Sequence, residues 1–115
     1  MLGKAITVAL IIFAAALVAL FVGLRIYDSR TREELSSLVS RELPVGADDS
    51  EMDAFMREHT TGYNRDDRIN FQYNGLRDQT KIDNLLYRKV SITLNFDPQT
   101  RLYKDYSISI YYTWL

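Results

Sequence analysis

Apolar and polar positions follow three different periods along this chain, and each period predicts a different kind of element. From Ala5 to Leu24 nothing alternates: the run carries no charge, and Thr7 is its only polar side chain. Twenty residues at ~1.5 Å rise make a helix of roughly 30 Å, the depth of a bilayer's hydrocarbon core. The triplet Ala14-Ala15-Ala16 resembles a signal-peptidase site, but Leu17-Val18-Ala19-Leu20-Phe21-Val22 continues the apolar run beyond it. Signal-peptide apolar regions span about 7–15 residues and end at the cleavage point. The run therefore reads as a retained anchor.

A helical period follows. Arg25 to Arg41 lacks proline and glycine and places Leu35, Leu38 and Val39 at i, i+3, i+4 spacing. This helix either continues the anchor or restarts at Ser29. Leu43-Pro44-Val45-Gly46 breaks it, because proline disfavours the α conformation of the residue before it. A second helix opens on Asp48 as N-cap with Glu51 three residues later, a capping-box spacing. Met52, Phe55, Met56 and His59 share one of its faces, and Gly62 is the expected stop.

The period then falls to two. Ile69, Phe71 and Tyr73 alternate with polar neighbours, and Asn74-Gly75 reads as a turn. Val90, Ile92, Leu94 and Phe96 alternate with Ser91, Thr93 and Asn95; Asp97-Pro98-Gln99-Thr100 is a type I turn candidate. The last strand, Leu102 to Trp114, sets Tyr106, Ile108, Ile110, Tyr112 and Trp114 against Ser107, Ser109, Tyr111 and Thr113. The stretch from Leu76 to Arg88 reads either as a short helical turn around Ile82, Leu85 and Leu86 or as a flap.

Strands with one apolar face need cover, and the two amphipathic helices are the elements able to supply it. The expected fold class is α+β: one N-terminal transmembrane helix followed by a small ααβββ domain, an antiparallel three-stranded meander covered on one face by helices. The expected organisation is an anchor over 1–28 (span about 5–24), a juxtamembrane helix over 29–42 and the α+β domain over 43–115.

Charge narrows the partners. The formal net charge is −1 without a basic stripe, which argues against nucleic acid. Lys4 precedes the span, whereas Arg25, Arg30 and Arg32 follow it, so the count of basic flanks leans toward a cytoplasmic C-terminal domain. Absence of cysteine excludes thiol chemistry, disulfides and a lipidated cysteine.

Within the anchor, Ala15, Ala19 and Gly23 recur every four residues on one face. Small residues at that spacing allow close backbone approach between helices in lipid, where little hydrophobic drive exists. Chance in an alanine-rich anchor is the competing explanation.

A family resemblance adds to this. The membrane attachment, then L-P-V-G, the acid-capped helix DDSEMDAFMREH and the hairpin F-D-P-Q-T-R-L resemble the layout of the SmpA/OmlA-like domain of outer-membrane assembly lipoproteins. They are also similar, more loosely, to β-lactamase-inhibitor-like domains. The resemblance runs from Leu43 to about Tyr112. It implies an accessory or binding subunit, not an enzyme, with its domain in the periplasm. The chain departs from the pattern by having an anchor in place of a lipidated cysteine, and by lacking the Gly-x-Pro that often follows the helix. That departure implies the bacterial inner membrane, single-pass, with an exported domain.

Candidate chemistry is sparse. His59 is the sole histidine and reads as a helix C-cap or half-buried residue. The cluster Asp48, Asp49, Glu51 and Asp53 complements the positive end of a helix dipole and lacks the spacing of a calcium loop. Asp66 and Asp67, flanked by Arg65 and Arg68, are expected to stay ionised. No phosphate loop, nucleophile elbow or zinc spacing is present, so no catalytic residue, metal, cofactor or small-molecule substrate is expected. The eight tyrosines are the stronger signal. Tyr103 and Tyr111 fall on the expected wet face of the last strand, next to the apolar end Trp114-Leu115, and aromatics of this kind favour protein interfaces. The expected function is a non-enzymatic bitopic accessory subunit of a multi-subunit membrane complex; a membrane-tethered binding or inhibitor domain acting on a soluble partner is the alternative.

Overall fold

The computed structural model describes residues 1–113. Its elements are α1 (Leu2–Glu42), α2 (Asp49–His59), β1 (Thr60–Asp66), β2 (Gln72–Arg77), α3 (Lys81–Leu86), β3 (Arg88–Phe96) and β4 (Tyr103–Tyr112). The chain divides into two compact units, Met1–Glu34 and Leu35–Leu115.

The first unit is helix alone. Its apolar window is long enough to cross a membrane, and none of that window is buried within the protein. The Thr7 hydroxyl donates to the Gly3 carbonyl at 2.8 Å, so the run's one polar side chain is satisfied inside the helix. At the end of the run the Arg25 guanidinium lies 5.6 Å from the centre of the Phe21 ring, one turn back.

The second unit is α+β. Its sheet has four strands in the order β1-β2-β3-β4, all antiparallel, where three were expected. The additional strand is β1. Its sequence TTGYNRD shows no apolar alternation because it is an edge strand that buries only Thr60 fully. Gly62 accordingly does not end a helix; α2 stops at His59 and the chain enters β1 directly.

The first hairpin also differs from expectation. Asn74-Gly75 lies inside β2, opposite Asn64 and Tyr63, and the turn sits earlier, after Asp66. There the Asp66 carboxylate accepts from the backbone N–H groups of Arg68 and Ile69, and Phe71 takes a positive φ of 48°. Ile69 is consequently exposed rather than inward-facing. Gly75 is required by close approach: a Cβ there would stand 2.7 Å from Met56 Cε, 2.9 Å from Thr60 Cγ2 and 3.0 Å from Tyr63 Cβ.

The second hairpin turns where expected, after Asp97, but its backbone bond spans five residues, from the Arg101 N–H to the Asp97 carbonyl at 2.8 Å, with Arg101 at a positive φ of 59°. Asp97 Oδ1 accepts from the N–H groups of Gln99 and Thr100, at 2.8 and 3.1 Å. Between β2 and β3, the Leu76–Arg88 stretch resolves into the short helix α3. A reciprocal capping box between Thr80 and Asp83 starts it, and Tyr87 ends it in the left-handed region.

The core lies between one sheet face and two helical segments. Tyr73, Val90, Ile92, Leu94, Phe96 and Tyr103 meet Met52, Phe55 and Met56 of α2, Leu35 and Val39 at the end of α1, and Leu43 just beyond it. Burying side chains of this size contributes about 1.5–3 kcal/mol each. The compact unit thus begins at Leu35, inside the stretch expected to form a juxtamembrane helix. Within the core, Arg88 and Asp83 are fully buried and joined at 2.6 Å.

Candidate functional site

Two of the residues singled out as candidates, Tyr103 and Tyr111, lie on β4. β4 is the last strand of the sheet, with β3 as its strand neighbour. Its outward positions continue a polar surface: Ser107 lies opposite Thr93, Ser109 opposite Ser91, and Tyr111 opposite Lys89. Thr93 donates to the Asn74 side-chain oxygen at 2.8 Å, and Asn95 to Asp105 at 2.7 Å. Tyr111 rises from this surface with 44% of its area exposed, as its alternation predicts.

Tyr103 does not share that face. It is 4% exposed and belongs to the core. The reason is a register shift: Asn95 pairs with Asp105, but Phe96 pairs with Tyr103, which leaves Lys104 as an extra residue. One inserted residue reverses the facing of everything before it. The backbone of Tyr103 is held as well, donating to the Ala47 carbonyl and accepting from the Gly46 N–H. Trp114 and Leu115 lie outside the described residues.

That bulge opens a cavity of about 340 Å³ in which the L-P-V-G segment meets β4. Leu43, Pro44 and Val45 line one side; Tyr103, Lys104 and Tyr106 line the other. Val45 stands exposed at this site. Two motifs separated by some sixty positions in the chain thus form one cleft beside the edge strand.

Burial pushes the Tyr103 phenol up to about 12, with the neighbouring Tyr106 and Asp105 adding to the effect. The native state therefore holds this proton between pH ~10, where an unfolded tyrosine ionises, and pH about 12. The stability contributed by the neutral phenol is complete below that window and falls as pH rises through it. Alkaline unfolding of the wild type should steepen there, and Tyr103→Phe should remove one high-pH phenol from the ultraviolet titration. An unchanged titration in Tyr103→Phe would contradict the assignment.

Three of the four acidic residues at the start of α2 are occupied structurally. Asp48 caps the helix by accepting from the Glu51 N–H at 2.8 Å. Asp49 pairs with Arg65 at 3.0 Å and Asp53 with Arg57 at 2.5 Å, while the Tyr63 hydroxyl donates to Asp53. Arg65 lies over the rings of Tyr73 and Phe96, at 5.6 and 5.5 Å. It therefore does not flank Asp66 as its place in the sequence implies. Hydrogen bonds from the Arg68 and Ile69 backbone hold the Asp66 carboxyl below its ordinary value, and Asp67 pairs with Arg101 at 3.3 Å.

His59 is half-buried, its ring 4.7 Å from that of Phe55 and its Nε2 2.5 Å from a Glu42 carboxylate oxygen. Glu58 approaches the same nitrogen at 3.9 Å. Among the described residues these three form the one group with ligand atoms close enough to share a cation. The direct His59–Glu42 contact already explains their proximity. Glu42 and His59 are 17 residues apart on different helices, so chain spacing carried no signal of the pair.

The anchor stripe is open. Ala15, Ala19 and Gly23 are exposed, and a Cβ added at Gly23 would meet nothing within 4 Å.

No family model, curated protein or solved structure matches this chain.

Proposed function

We propose that the protein is a bitopic accessory subunit of a bacterial membrane complex, anchored by α1 and docking its partners through that helix and the cleft beside β4. The observation that carries this reading is the Ala5–Leu24 run: twenty residues, apolar except for Thr7, whose membrane-length window is buried by none of the described residues. Such a surface needs lipid or another helix around it. The exposed small-residue face supplies a route for close helix contact. The edge strand, Tyr111 and the Leu43–Tyr106 cleft supply a second contact area outside the bilayer. In this reading the role is assembly or stabilisation, without catalysis. The resemblance to outer-membrane assembly lipoproteins favours an inner-membrane anchor with a periplasmic domain.

Ala19→Leu combined with Gly23→Leu tests the helix contact. Both positions face open space in this chain, so the variant should fold and reach the membrane normally. Gentle detergent extraction followed by native gels and mass spectrometry should recover companion membrane proteins with the wild type and several-fold less with the variant. Equal recovery would remove the helix contact from the proposal. If a chain lacking 1–28 retains the partner at full strength, the tethered binding or inhibitor domain becomes the better description.

A further inference from the structure

We propose that α3 presents a lipid-contacting surface, with Ile82, Leu85 and Tyr87 seated in the headgroup region of an anionic bilayer. Outside α1, Val45, Ile69, Leu102 and Tyr111 are exposed one at a time, which is ordinary for a water-facing surface. Ile82, Leu85 and Tyr87 differ in falling within six consecutive positions, at 52%, 78% and 65% exposure. Apolar exposure concentrated in this way marks a contact surface.

The fold explains why these side chains face outward. Asp83 is the inward residue of α3, buried and paired with Arg88 at 2.6 Å. At 3.6 residues per turn, Lys81 and Leu85 fall on the side opposite Asp83, and Ile82 lies one turn before Leu85. Both ends of the segment are fixed. The Thr80–Asp83 capping box starts it, and the Tyr87 carbonyl accepts from the Thr113 N–H and hydroxyl at 2.9 and 3.2 Å. An ordinary amphipathic helix buries its apolar side. Here a buried carboxylate holds the helix down and the apolar side is left out.

Charge and chain length select lipid as the occupant. Asp83 is the sole acid of α3 and is turned inward, so the outer side carries Lys81 and no carboxylate. From Arg77 to Lys89 there are four basic residues against two acidic ones, in a chain whose net charge is −1. Aliphatic side chains beside a tyrosine and a lysine suit a bilayer interface, with the ring at headgroup depth and the ammonium reaching the phosphates. The chain also keeps the α+β unit near a bilayer. The apolar run ends at Leu24 and the unit begins at Leu35; the ten residues between them reach at most ~35 Å when extended. The inference rests on the anchor reading of α1 and is independent of any protein partner.

The sequence contains no cysteine, so one introduced thiol carries one nitroxide. Full-length Leu85→Cys is labelled and reconstituted in phosphatidylglycerol vesicles and in phosphatidylcholine vesicles. Collision rates are measured with oxygen, which concentrates in lipid, and with a water-soluble nickel chelate. Leu17→Cys reports on α1, and Ile69→Cys on the turn at the opposite end of β2. In phosphatidylglycerol the oxygen-to-nickel ratio at Leu85 should exceed that at Ile69 several-fold. It should fall toward the Ile69 value in phosphatidylcholine or on adding Lys81→Glu. Glutamate at the first helical position suits the helix dipole, so that variant keeps α3 folded. A nickel-dominated label at Leu85, with Leu17 still in lipid, overturns the surface and leaves the anchor standing. Aqueous labels at both positions overturn both. Low collision rates with both reagents mean that protein covers α3, and also overturn the lipid contact. A ratio unchanged by Lys81→Glu and by phosphatidylcholine overturns the anionic bilayer as the occupant.

Discussion

Asp83→Asn lowers the unfolding free energy of the α+β unit by about 3–5 kcal/mol, the usual cost of stripping one partner from a buried ion pair. This is a large share of a small domain's total, which is about 5–15 kcal/mol. Asp83 is 2% exposed and Arg88 fully buried, so no solvent replaces the lost carboxylate charge. Asparagine keeps an oxygen able to serve the capping box with Thr80, which isolates the charge from the cap. Asp83→Ala removes both and should cost a further ~1 kcal/mol.

Chemical denaturation in detergent, followed by near-ultraviolet dichroism, reads these differences as midpoint shifts at constant slope. Wild-type midpoints in Asp83→Asn would show that Arg88 is satisfied without this carboxylate. The same pair sets an acid limit. Burial alone would raise the Asp83 carboxyl, but the Thr80 backbone N–H, Arg88 and the Thr80 hydroxyl outweigh it and hold it below its ordinary value. A depressed folded-state value means that the contribution is present above an unfolded pKa of ~4 and is lost as pH falls through the folded value. Asp83→Asn should flatten that acid-side slope. Replacing both partners by apolar residues of similar volume should recover much of the stability, because it removes the burial cost of two charges together.

Ala14→Arg combined with Leu17→Arg should abolish stable membrane insertion. Each arginine near the centre of a spanning helix costs roughly 2.5–3.5 kcal/mol on insertion scales, so the pair costs about 5–7 kcal/mol. The apolar run has no other charge and only Thr7 as a polar side chain, leaving nothing along the helix to pair with the new guanidinium groups. Carbonate extraction should leave the wild type in the pellet and move the double variant to the supernatant. Both positions are exposed and lie within the first compact unit, so the fold of Leu35 onward should survive and can be checked by dichroism of the extracted variant. A carbonate-resistant double variant would refute a spanning role for α1.

Both predictions rest on features of very different visibility in the chain. The apolar run was readable from composition and length. The cap at Asp48 and the alternation from Val90 to Phe96 were readable as well, and β3 buries every second residue as that alternation requires. The polar edge strand β1 was not readable, because it is held by backbone pairing to β2 and leaves little pattern in its side chains. Asn74-Gly75 resembled a turn because of its composition. In the fold, the glycine is there to let α2 and β1 approach the β2 backbone.

The candidate sites divide in the same way. Tyr111 kept the exposure its parity implied, and Tyr103 was carried into the core by one extra residue, Lys104. The β4 cleft and the His59–Glu42 contact each join residues from separate elements.

From its residues alone, the chain determined an apolar helix of membrane-spanning length and an α+β unit with a capped α2 and a strongly alternating β3, because periodicity and capping are properties of consecutive residues. The tertiary structure alone decided the fourth strand, the inward Tyr103, the His59–Glu42 contact and the cleft beside β4. These depend on register and on contacts between distant residues, and a shift of one position in either would rearrange them without altering any local pattern.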